Sequence, residues 1–70
     1  MRVFDKEELR RKNILLHKSG QAPEKLELYG DMIKIHTGKE IYEIPLNTLR
    51  AKAILDRLNY DGELTQEIYI

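Results

Sequence analysis

A chain of 70 residues, 41% apolar and 34% charged, supports one small globular domain, near the size at which a single core suffices without a metal, a disulfide or a partner. The absence of cysteine excludes disulfides and thiolate metal sites, and twelve basic residues balanced by twelve acidic ones exclude a uniformly charged surface built to trap nucleic acid or anionic membrane. The apolar run Ile14-Leu15-Leu16 is too short for a signal-peptide core or a membrane span, so the expectation is a cytoplasmic protein without membrane association.

The first element is announced by Phe4-Asp5-Lys6-Glu7-Glu8-Leu9. Asp5 is an N-cap, Glu8 stands at the third position of a capping box, and Phe4 and Leu9 form the hydrophobic staple. This predicts a helix over about residues 5–17. Ile14, Leu15 and Leu16 spread around the helix circumference without forming one stripe, which leaves an extended 13–18 as the alternative. Gly20 and Pro23 then read as helix cap and stop.

Glu24 to Pro45 reads as a three-stranded antiparallel meander, with strands at about 25–29, 32–37 and 40–44. Gly30-Asp31 and Gly38-Lys39 are the two-residue loops, because glycine accepts positive φ at little cost. Together the two turns imply one register. Leu26/Ile35/Tyr42 and Leu28/Ile33/Ile44 become apolar rows on one face, and Glu27/Lys34/Glu43 becomes a charge ladder on the other. Tyr29/Met32 and Lys25/His36/Ile41 flank that ladder. A slip of one residue at either turn would carry charge into the apolar rows.

Asn47 reads as the cap of a second helix to about residue 58, whose Ala51, Ile54, Leu55 and Leu58 share a side. Residues 64–70 have the β-branched and aromatic content of a last strand. The expected fold is therefore an α+β two-layer sandwich: helix, three-stranded antiparallel meander, helix, C-terminal strand. The last strand is expected beside the third meander strand, beside Arg2-Val3-Phe4, or against a second molecule as a homodimer.

Little here points to catalysis, a cofactor or a metal. His17 and His36 have no second histidine at ligand spacing. His17 is expected at a helix end, where its charge opposes the dipole, and His36 on the solvated sheet face. The carboxylate pairs Glu7/Glu8, Glu27/Glu43 and Asp61/Glu63 each have a local role in a helix start, a ladder or a turn. The chain reads as a non-enzyme.

Residues 1–20 hold six basic against three acidic side chains, with Arg10-Arg11-Lys12 as a run. With Arg50, Lys52 and Arg57 on the second helix, these form a candidate phosphate-binding set. Over residues 5–58 the order helix, three-stranded meander, helix resembles, in topology alone, double-stranded-RNA-binding domains and the small mRNA-cleaving toxins that share their fold. Those RNA-binding domains carry a lysine cluster at the start of the second helix, where this chain has Asn47-Thr48-Leu49-Arg50-Ala51-Lys52. The other candidate surface consists of Tyr29, Met32, Ile41, Ile68, Tyr69 and Ile70, large apolar side chains without a place in the expected core and of a kind enriched at protein interfaces. The favoured function is a stand-alone protein-interaction module, adaptor-like or inhibitor-like, acting through a sheet face or edge. The alternative is a nucleic-acid-binding regulator.

Overall fold

In the computed structural model, which describes residues 1–70, Asp5 caps the first helix as its position predicts. Its carboxylate accepts the Glu8 amide at 2.8 Å, and Phe4 and Leu9 are both buried as the staple requires. The return arm of the capping box is absent. Glu8 turns instead to Arg2, with an N–O distance of 2.9 Å.

The helix, α1 (Lys6–Arg11), is much shorter than residues 5–17. Asn13 ends it by adopting φ 57°, the left-handed conformation that asparagine tolerates better than most residues and that closes many helices. Ile14–Leu16 is then a strand, β2, in which Ile14 and Leu16 are buried and Leu15 between them is half-buried. An apolar triplet that cannot share one helical stripe satisfies a period of two instead. Gly20 has positive φ, but in the turn after β2 and not as a helix cap. His17 likewise follows a strand, so no helix dipole acts on it.

Residues upstream of the helix are also extended. Strand β1 (Arg2–Asp5) lies antiparallel to β3 (Lys25–Leu28) and pairs Val3 with Glu27 and Phe4 with Leu26. With β4 (Met32–His36) and β5 (Ile41–Pro45), the sheet has four strands in the order β1-β3-β4-β5. The meander is thus three strands of a four-stranded antiparallel sheet, and its register is the expected one: Leu26 opposite Ile35, Ile35 opposite Tyr42, Ile33 opposite Ile44. One of the two glycine arguments behind that register does not hold. Gly38 has φ 92°, whereas Gly30 lies outside the left-handed region.

Thr48, not Asn47, caps the second helix, α2 (Leu49–Leu58): its hydroxyl accepts the Ala51 amide at 3.2 Å and donates to the Pro45 carbonyl at 2.7 Å. Ala51, Ile54 and Leu58 are buried as the amphipathic spacing predicts. The last strand, β6 (Gln66–Ile68), pairs with neither β5 nor β1. It runs parallel to β2, Ile14 opposite Gln66 and Leu16 opposite Ile68, and makes a separate two-stranded sheet. Helices and small sheet share one core with the inner face of the large sheet, through Phe4, Leu26, Ile33, Ile35 and Ile44 on one side and Leu9, Ile14, Ile54, Leu58 and Ile68 on the other. Beginning with a strand and inserting β2 before the meander, the fold has an element order different from that of double-stranded-RNA-binding domains.

Candidate interaction surface

Alternation along β3, β4 and β5 sends Glu27, Lys34 and Glu43 to the outer face of the large sheet, opposite the core rows. At one end of that ladder stand Tyr29 and Met32, both half-buried; at the other stands Ile41, 59% exposed. The charged row separates them, so these three residues do not make one apolar patch.

Between them the face carries a polar network. Glu27 accepts the Tyr29 hydroxyl at 2.9 Å and meets His36 Nε2 at 2.5 Å across the β3–β4 pair. These side chains are only 12% and 21% exposed for Glu27 and His36, which replaces the solvated histidine expected from sequence. The His36 hydrogen bond, and after it that of Tyr29, holds the Glu27 carboxyl below its ordinary range. The same bond holds the Tyr29 hydroxyl up, because ionising it would place two negative charges side by side. Lys34 sits with Nζ 5.1 Å from the Tyr29 ring centre. The carboxylate serves as the common acceptor of the Tyr29 hydroxyl and, across the strands, of His36. No three His, Asp or Glu side chains come together as metal ligands would.

The sheet ends in two edge strands, β1 and β5, and at β5 the direction of the free backbone groups follows from the ladder. Thr37 and Leu46 donate to Glu40 and Asp31 at the two ends of the β4–β5 ladder, at 3.0 and 3.1 Å. In an antiparallel ladder, bonded residues alternate with residues whose backbone points away. Tyr42 and Ile44 therefore bond to β4, and Ile41 and Glu43 direct their amides and carbonyls outward. No strand lies on that side.

Ile68 is fully buried in the core and is not a surface residue; Tyr69 and Ile70 are 52% and 40% exposed. They belong to the second layer, so the six candidate interface residues divide between a buried position and two separate surfaces. Tyr69 stacks on His17 with ring centres 4.3 Å apart, and His17 Nδ1 lies 2.8 Å from the Glu67 carboxylate.

Half of the candidate phosphate-binding set is engaged within the chain. Lys12 donates to the Leu58 carbonyl at the end of α2 at 3.2 Å, Lys52 pairs with Asp56 at 3.4 Å, and Arg57 donates to the Ala53 carbonyl at 2.8 Å. Arg10, Arg11 and Arg50 are exposed and make no ion pair. No helix is long and apolar enough to cross a membrane.

No family model, curated protein or solved structure matches this chain.

Proposed function

We propose that the chain is a non-enzymatic protein-interaction module that takes an extended segment of a partner along β5. The observation that carries this reading is the open edge: outward amides and carbonyls at Ile41 and Glu43, beside the exposed Ile41 side chain. An added strand would gain main-chain hydrogen bonds there, with alternate side chains read by the outer face around Ile41 and His36. The edge carries only modest protection, from the charge on Glu43 and from Pro45 at its end.

The test is affinity capture from cell extract with and without nuclease, read by mass spectrometry, using the native chain and Glu43→Pro. Proline at 43 removes an outward amide and leaves the β4–β5 ladder intact. A partner retained after nuclease and lost with Glu43→Pro, at unchanged thermal midpoint, supports the reading. If Glu43→Pro does not fold, Ile41→Lys makes the same test through an exposed side chain. A partner that remains with these variants overturns the edge assignment. Loss of all captured material with nuclease transfers the assignment to nucleic acid and to Arg10, Arg11 and Arg50.

A further inference from the structure

The second layer carries a surface feature that the β5 edge does not use. Between α2 and the end of β6 lies a groove of about 260 Å³, lined by Leu49, Ala53, Ile54, Ile68 and Tyr69 and flanked by Arg50 and Arg57. Its volume falls below the roughly 300–1,000 Å³ of small-molecule pockets, so it suits one or two side chains of a docked segment. Its rim is apolar and exposed, with Leu49 at 87% and Tyr69 at 52%. Its charge is of one sign, since no carboxylate lines it. Arg57 is held in place, donating to the Ala53 carbonyl and lying 5.9 Å from the Tyr69 ring centre. The nearby acids Asp56 and Glu67 are occupied by Lys52 and His17.

The complement of this groove is on the same chain. The loop from α2 to β6 presents Leu64, 70% exposed, just after the carboxylates of Asp61 and Glu63, neither of which has an ion-pair partner. The loop has a defined shape. The Glu63 carbonyl accepts Asn13 Nδ2 at 3.4 Å, and the Tyr60 ring lies where a side chain on Gly62 would be.

We propose that the groove is occupied by the Asp61–Leu64 loop of a second copy of this chain, with Leu64 between Leu49 and Tyr69 and the loop carboxylates on Arg50 and Arg57. The groove runs along α2 from Leu49 to Arg57, and the loop leaves the helix just beyond Leu58. A twofold axis across α2 sets two such helices antiparallel, bringing each groove to the other's loop and forming both contacts at once. The chain's zero net charge leaves no overall repulsion to oppose the pairing.

The test is sedimentation velocity of the full chain from micromolar to millimolar concentration, with thermal melting as a fold control. The native chain dimerises, more weakly as salt rises. Arg50→Glu/Arg57→Glu and Asp61→Arg/Glu63→Arg each raise the dimer dissociation constant at least about tenfold. An equimolar mixture of the two variants restores the dimer, because both contacts are again complementary. Should Arg57→Glu disturb the fold through Tyr69, Arg50→Glu alone and Leu64→Ser carry the same comparison. A native chain that stays monomeric throughout, a dimer indifferent to these reversals, or a mixture that fails to associate overturns the proposal. So does single-stranded RNA that binds the monomer and is released by Arg50→Glu, since the groove arginines then serve phosphates.

Discussion

The backbone carbonyl of Asn13 accepts the amide of Gln66 at 2.9 Å, joining the residue that ends the first helix to the first residue of the last strand. Two parallel strands, β2 and β6, are held in register from this point. One asparagine thus ends α1 with its left-handed backbone and supplies the carbonyl at which the β2–β6 pairing begins.

Asn13→Gly keeps that backbone accessible and should leave the thermal midpoint nearly unchanged apart from the lost hydrogen bond to Glu63. Asn13→Val places a β-branched residue at φ 57° and should cost about 1–3 kcal/mol. Chemical denaturation of both variants measures the difference. Equal stability of the two would mean that position 13 is not left-handed in solution.

Ile68 and Ile70 are two residues apart on a terminal segment, yet one is fully buried and the other 40% exposed. Ile68→Ala should cost about 2–5 kcal/mol, a large share of the roughly 4–10 kcal/mol available to a domain of this length. Ile70→Ala should cost less than about 1 kcal/mol. Urea midpoints of the two variants make the comparison; losses of similar size would place both residues in the same environment, against this structure.

Gly30 and Gly38 stand at equivalent places in successive hairpins, but substitutions there should act with opposite sign. At Gly38, φ is 92°, and alanine should destabilise by about 1–2 kcal/mol. At Gly30 the backbone is outside that region and an added Cβ meets nothing within 4 Å. Gly30→Ala should therefore stabilise by roughly 0.4–1 kcal/mol, by restricting the unfolded chain. Thermal melts of the pair decide the matter.

Glu27 has its folded pKa lowered from the ordinary 4.5, first by the His36 hydrogen bond and then by that of Tyr29. Below about 4.5 the unfolded chain then binds protons that the folded chain resists. The contribution of this carboxylate is present above that pH and is lost as pH falls through the folded value. Glu27→Gln should flatten the acid limb of a stability-against-pH curve and change little near neutrality in its slope. Tyr29 gives the reverse sign at the alkaline end: its pKa is raised from 10.0, so its contribution is present below pH 10 and lost above it. Urea denaturation across an acid series, with native and Glu27→Gln chains side by side, measures the first effect; parallel acid limbs would dismiss the Glu27 network as its source.

Much of this architecture is local chemistry and is legible in the chain. Asp5 caps α1, the apolar alternation and Gly38 set the register of β3, β4 and β5, and Ala51, Ile54 and Leu58 mark the buried side of α2. Each of these signals acts between residues close in sequence or joined by one tight turn, where backbone geometry leaves few options. The candidate surface was legible only in part, because an exposed Ile41 and a buried Ile68 look alike until their neighbours are known.

Asn13 was a readable stop signal, and with it the strand alternative for Ile14–Leu16 becomes the stronger reading. The partners of the terminal strands were not readable. Arg2–Asp5 beside β3, and Gln66–Ile68 parallel to Ile14–Leu16 about fifty residues away, are contacts between distant segments. No local propensity distinguishes one exposed edge from another. That choice fell to burial: only with β6 beside β2 do Ile14, Leu16 and Ile68 close the same core as α2 and the inner face of the sheet. The resulting topology also leaves the β5 edge open and gathers Arg50, Arg57 and Tyr69 around one groove, an arrangement that the tertiary structure, and not the order of residues alone, decided.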